Sequence, residues 1–205
     1  MTGKTIYDAC NELTSGIDVQ VIVDLGARHG EGYELFGKNH PCAAYYFVEP
    51  SDRCIPHIKE VIQKYDGRVL QLIDGVLGTY NGQTEFFQLD NDNDQSGNMF
   101  SDRHGQYGRA SICKVNVHNF TDCLMWPFGI DFVKCNIEGG EYQLIEDGFF
   151  DSVKSFVMEA HNQHVPGKTY VDVLRELDKD FVLDVWGDVN YKYCYVNGTR
   201  KTKDC

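Results

Sequence analysis

Positive charge is scarce in this chain. Its 19 lysines and arginines face 31 aspartates and glutamates, for a formal net charge of −12. Phosphate backbones are bound by a basic stripe, and the basic residues here are scattered except for Arg200, Lys201 and Lys203, so nucleic acid is excluded as the expected partner. Long apolar runs are missing too, and none approaches the roughly 20 residues of a membrane-spanning helix. The opening residues, Met-Thr-Gly-Lys-Thr, lack the apolar core of a secretory signal. The eight cysteines, at 10, 42, 54, 113, 123, 135, 194 and 205, contain no Cys-x-x-Cys pair and no zinc-ligand spacing. Reduced, mostly buried thiols in a reducing cytoplasmic compartment are the expectation. The Asn-x-Thr triplets at Asn119 and Asn197 then carry no glycan.

What is present is enough apolar residue, 42% of 205, to build the core of one domain. Apolar runs at 19–25, 43–48 and 69–73 read as strands, each ending on a polar or glycine residue. Helices are expected at 6–13, at 31–37, and from an N-cap at Ser51 to about 65, where Pro56 falls near the first turn. Asn81-Gly82 signals a hairpin, with a strand at 84–89 and another at 115–120. Residues 90–111 read as a long polar loop. Its Asp90-Asn-Asp92-Asn-Asp94 run fails as a calcium loop, because Gln95 stands where glycine is required and Ser101 where a bidentate glutamate is required. A strand from Asp131 leads into a glycine turn and a helix; a strand at 154–158, a helix at 170–179 and strands at 181–185 and 191–196 follow. Strands alternating with helices predict an α/β fold with a mostly parallel, doubly wound sheet in a single domain over 1–205.

Open α/β sheets bind ligands at the carboxyl ends of their strands. Asp24-Leu-Gly26-Ala27-Arg28-His-Gly30 joins a strand to a helix, with spacing that departs from the dinucleotide pattern G-x-G-x-x-G. An acid before the glycine suits a ligand carrying an amino group, such as S-adenosylmethionine, whose carboxylate the turn's backbone N–H groups are expected to hold. Glu49, followed by Pro50 and Ser51, ends the next strand and suits the ribose hydroxyls. Asp74, before Gly75, ends the third and suits the adenine amine.

The segments Val-Ile-Val-Asp24-Leu-Gly-Ala, Phe-Val-Glu49-Pro50, Asp131-Phe-Val-Lys-Cys-Asn-Ile-Glu-Gly-Gly-Glu141 and Met-Glu159-Ala-His161 together resemble the FkbM-type S-adenosylmethionine-dependent methyltransferases, in order, over residues 20–165. The resemblance implies a Rossmann-like class I methyltransferase sheet of seven strands, its last strand antiparallel. The implied activity is O-methylation, often of sugar hydroxyls. Two departures stand out: Arg28 replaces the usual asparagine, and Asn136 the usual aspartate, which removes a carboxylate beside the reacting centre. The expected cofactor set is Asp24, Gly26, Ala27, Arg28, Gly30, Glu49, Pro50, Ser51, Asp74, Gly75 and Asn136. Candidate catalytic groups are Lys134, Asn136, Glu138, Glu159 and His161, with His161 as the base because imidazole titrates near neutrality. Glu141 reads as a helix N-terminal charge complementing the dipole. A divalent cation among these oxygen ligands is a further expectation. The expected partner is a saccharide, with the 90–111 loop covering it. A non-sugar small molecule or lipid acceptor, and a non-catalytic cofactor-binding subunit, are the alternatives.

Overall fold

The computed structural model describes residues 4–89, 97–98, 110–124, 129–161, 167–190 and 193–202. Helix α1 (Ile6–Thr14) starts from a capping box in which Thr5 and Asp8 exchange backbone bonds of 2.9 and 3.1 Å. Strands β1 (Val21–Leu25), β2 (Ala44–Glu49) and β3 (Leu70–Asp74) alternate with helices α2 (Glu31–Leu35) and α3 (Ile55–Lys64). After an inserted sheet come β8 (Ile130–Cys135), helix α5 (Glu141–Glu146), β9 (Val153–His161), helix α6 (Tyr170–Leu177), β10 (Phe181–Asn190) and β11 (Tyr193–Arg200).

The main sheet has seven strands in the order β10-β11-β9-β8-β1-β2-β3. Neighbours are parallel except that β11 runs antiparallel to both β9 and β10. The chain thus leaves β1 toward β2 on one side and later returns to β8 on the other, which opens a crevice at the carboxyl ends of β1, β2 and β8. Register fixes what lines it: Leu25 pairs with Val48 and with Cys135, so Gly26, Glu49 and Asn136 follow at three adjacent strand tips. Period-two alternation sends Ile22, Phe47, Phe132 and Val157 to the α1 side and Val23, Val133, Phe156 and Met158 to the other, all buried. Truncating Phe132, fully buried on the α1 side, to alanine would cost about 3–5 kcal/mol.

The inserted sheet, β4-β7-β5-β6, comprises β4 (Val76–Gly78), β5 (Gly82–Leu89), β6 (Gly97–Asn98) and β7 (Ala110–Asn119), which ends in the short helix α4 (Phe120–Cys123). It corrects three expectations. The Asn81-Gly82 hairpin does not form, because β7 lies between β4 and β5; the Asn81 side chain instead bonds Asp122 (2.9 Å) and the Asn119 amide (2.8 Å). The strand expected at 115–120 begins at Ala110, and Phe120 starts a helix. Within the 90–111 loop, Gly97 and Asn98 pair with Gln88 and Phe87, and Ala110 and Ser111 belong to β7. The rest of that segment, with the acceptor cover expected there, lies outside the described residues. Ser51 is also not the cap of α3: it heads a preceding turn, its carbonyl accepting from the Cys54 and Ile55 amides, and the cap position belongs to Cys54. The seven described cysteines are free thiols, four of them buried. Among the described residues no helix is long and apolar enough to cross a membrane.

Candidate active site

After Asp24 and Leu25 the chain turns through Gly26 (φ +71°) and Arg28 (φ +52°) to Gly30 (φ +81°), where α2 begins. Glycine is obligatory at 26, because a Cβ there would lie 1.9 Å from the Asn136 carbonyl oxygen. Asp24 does not face the crevice. It is completely buried; Tyr45 Oη donates to its Oδ2 at 2.9 Å, and Lys134 Nζ lies 3.0 Å from Oδ1. The same ammonium donates to the Gly26 carbonyl at 2.7 Å and lies 3.5 Å from that of Leu25. Burial alone would push the Lys134 pKa down, but the Asp24 carboxylate outweighs it and holds the group well above its ordinary value. Gly32 keeps the pair accessible to Tyr45, since a Cβ there would meet Asp24 Oδ2 at 2.4 Å.

The turn's amides are satisfied internally, contrary to expectation. Those of Gly26 and Ala27 donate to the Val48 carbonyl (3.0 and 3.2 Å), Arg28 to Glu49 Oε2 (2.8 Å), His29 to Glu31 (2.9 Å) and Gly30 to the Ala27 carbonyl (2.8 Å). The positive group this turn offers a ligand carboxylate is therefore the exposed Arg28 guanidinium, 3.6 Å from Glu31. Glu49 is buried at the tip of β2, where Ser51 N donates to its Oε1 at 2.9 Å. Burial raises its carboxyl to about 7, against the pull of the Ser51 and Arg28 amides. A carboxylate accepts about four hydrogen bonds, so two places remain for ligand hydroxyls. Pro50 is half-buried beside it, and Ser51 Oγ accepts from Gln88 Nε2 (3.1 Å), which ties the inserted sheet to the crevice. Asp74 pairs with Glu49 in register and is exposed, while Gly75 N bonds the Glu49 carbonyl (3.0 Å).

A second cluster lies beyond β8. Asn136 N donates to the Leu25 carbonyl (3.0 Å) and its Nδ2 to Glu159 Oε2 (3.2 Å), while its Oδ1 is buried with no hydrogen-bond partner among the described residues. Glu159 also lies 3.4 Å from His161 Nε2 and pairs in register with Tyr195. His161 Nδ1 lies 2.9 Å from Glu141 Oε1, and its Nε2 lies 3.6 Å from Glu138. Burial would lower the imidazole pKa, but the bonds to Glu141 and Glu159 and the charge of Glu138 raise it to about 10. These contacts favour the protonated imidazole, so His161 sits paired with carboxylates where the sequence suggested a neutral base. Glu138 precedes a Gly-Gly turn in a left-handed conformation (φ +56°) and is the most exposed of the three carboxylates at 27%.

Four of the five expected catalytic groups, Asn136, Glu138, Glu159 and His161, come together. Lys134 turns away, beneath the Gly26 turn. Glu141 stands in the first turn of α5, as expected of a charge complementing its dipole, but it is fully buried and bonded to His161 and to the Gly139 amide (3.2 Å). The three carboxylates surround an imidazole rather than a shared cation position. Among the described residues no group of three or more His, Cys, Asp or Glu could hold a metal ion, so the expected divalent cation finds no support. Sequence reasoning missed Tyr45 and Gly32 at the first cluster and Tyr193, Tyr195 and Trp186 at the second. Trp186 stacks on Tyr195 (5.6 Å, 22°), and Tyr193 lies 5.9 Å from the His161 ring. The Tyr-x-Tyr alternation of the closing strand was the available signal.

No protein-family model and no curated protein matches the chain. Solved structures do. A precorrin-6y C5,15-methyltransferase from Geobacter metallireducens GS-15 superimposes with a TM-score of 0.56 at 14% identity, over 98% of this chain and 91% of that one. A candidate caffeoyl-CoA O-methyltransferase from Staphylococcus aureus gives 0.57 at 9%, over 98% and 85%. A candidate tRNA (m1A22) methyltransferase from Streptococcus pneumoniae gives 0.52 at 10%, over 100% and 73%. The fold is the Rossmann-like sheet shared by these methyltransferases.

Proposed function

We propose that this chain transfers a methyl group from S-adenosylmethionine to a hydroxyl of a saccharide. The observation that carries this reading is the adjacency of two sites. Glu49, the Gly26 turn and Asn136 occupy neighbouring strand tips, and the Glu138–His161–Glu159 cluster lies next to Asn136.

The residues fit the cofactor. Glu49 has acceptor capacity for two ribose hydroxyls, the unpartnered Asn136 Oδ1 suits the ligand's ammonium group, Arg28 its carboxylate and Asp74 the adenine amine. When bound, the cofactor supplies an electrophilic methyl on sulfur. The chain's own groups align and deprotonate the acceptor. Glu159 already receives hydrogen from Asn136 and faces His161, so it holds the cluster in place. Glu138, the most exposed of the three carboxylates at 27%, is the one an acceptor would reach, and it would take the acceptor's hydroxyl proton. Carboxylate and amide groups beside the half-buried rings of Tyr193 and Tyr195 suit a sugar, which offers hydroxyls at its rim and C–H groups on its face.

Calorimetric titration with S-adenosylmethionine and S-adenosylhomocysteine, followed by turnover against a panel of saccharides, tests the reading. Micromolar binding that Glu49→Ala abolishes is the expected result. Failure to bind either compound would overturn it.

A further inference from the structure

We infer that Lys134 is a positioning residue that locks the Gly26 turn against Asn136 and so sets the alignment of the two halves of the site. The catalytic consequence rests on the proposed function; the locking itself rests on geometry.

A buried ammonium is costly unless it is paired and its protons are used. Lys134 is 3% exposed, and Asp24 Oδ1 at 3.0 Å supplies the counter-charge. The remaining donors go to backbone: the Gly26 carbonyl at 2.7 Å, with that of Leu25 at 3.5 Å. The parallel ladder between β1 and β8 ends at the bond from Asn136 N to the Leu25 carbonyl (3.0 Å), and Lys134 holds the carbonyl of the next residue, Gly26, which no backbone rung of that ladder reaches. The lysine sits two residues before Asn136 on the same face of β8. One side chain therefore ties the turn to the strand that carries Asn136. The clearance is narrow, since a single added carbon on Gly26 would collide with the Asn136 carbonyl. A turn that drifts from this position moves the Arg28 amide off Glu49 and the cofactor-facing backbone away from Asn136 and Glu159. Because Asp24 neutralises the lysine, the lock adds no net charge beneath the ligand.

The test is the double variant Asp24→Asn/Lys134→Met, which removes both charges together and leaves neither buried alone, a replacement that buried ion pairs often tolerate. Three measurements are made on it: thermal unfolding, hydrogen exchange of the Gly26–Gly30 amides, and the affinity for S-adenosylhomocysteine. We expect a folded protein whose β9–β11 amides exchange as in the wild type, with Gly26–Gly30 exchanging at least about tenfold faster and affinity weakened by about tenfold or more, a 1.4 kcal/mol effect. Wild-type exchange at the turn in a folded double variant would overturn the inference. Lys154→Met, on β9 where it meets Asp131 at the opposite end of β8, serves as the control and should leave exchange and affinity unchanged. Should the wild type itself not bind S-adenosylhomocysteine, the proposed function fails, and the exchange measurement still decides the role of Lys134. Should the double variant not fold, NMR of the wild type decides it: a scalar coupling from the Lys134 Nζ to the Gly26 carbonyl carbon supports the lock, and its absence overturns it.

Discussion

Side chains of β8 fasten that strand to β1 at both ends, and the two ends are built in opposite ways. At the amino end Asp131 accepts: its Oδ2 takes the Gln20 and Val21 amides at 2.8 and 3.0 Å, and Lys154, 62% exposed, approaches Oδ1 at 2.6 Å. At the carboxyl end Lys134 donates to the last carbonyls of β1, and both it and Asp24 are buried. Water competes for the first arrangement and is shut out of the second. An exposed pair contributes little, whereas one member of a buried pair cannot be removed without stranding the other. The end proposed to hold the cofactor is therefore the end where charge is expensive to rearrange, and the cluster of His161 with three glutamates repeats the pattern on β9.

The sharpest contrast between the ends is chemical. Glu138→Gln should lower turnover by about 10²- to 10⁴-fold with cofactor affinity unchanged, as expected for loss of a general base. No change at the amino end should affect turnover, and a Glu138→Gln enzyme of normal kcat would sink the base assignment. In stability, Lys134→Met should cost about 3–5 kcal/mol, because it leaves Asp24 buried and unpaired. Lys154→Met should cost about 0–1 kcal/mol. Denaturant midpoints check both, and equal losses would erase the difference between the two ends.

The pH dependence separates them further. The His161 pKa of about 10 lies above the ordinary 6.5, so its stabilising contribution is complete below about pH 6.5 and drains away as pH rises toward 10. Melting temperatures of the wild type should fall toward those of His161→Asn across that window; parallel profiles would show that the imidazole is not held charged. Asp131 has the opposite sign. Burial would raise its carboxyl, but Lys154 and the Gln20 and Val21 amides outweigh it, so the contribution is present above about pH 4 and lost as acid protonates the folded form. The smallest effect expected at the carboxyl end is at Glu49. Raised to about 7 by burial, it is protonated below neutrality and less able to accept ribose hydroxyls. Affinity for S-adenosylhomocysteine should improve several-fold from about pH 6 to about pH 8, and Glu49→Gln should flatten that slope. A slope that survives the substitution would assign the titration to another group.

What the amino-acid sequence determined by itself was the framework. The strands at 21–25, 44–48 and 130–135 are rich in β-branched and aromatic residues that are buried on both faces, so the strands, the parallel sheet and the tips carrying Gly26, Glu49 and Asn136 were legible. The inserted sheet was legible only in part: strands were expected at 84–89 and 115–120, but their pairing was not, because a contact between residues such as Glu85 and Lys114 leaves no local periodic mark. Nor were the states of the charged groups. Asp24 looked like a ligand contact, Lys134 a reacting group and His161 a neutral base. Each depends on partners 20 to 110 positions away and on the exclusion of water, and both arise when the sheet closes. Tertiary structure decided those roles, because burial and the nearest opposite charge, not residue type, set where a proton sits.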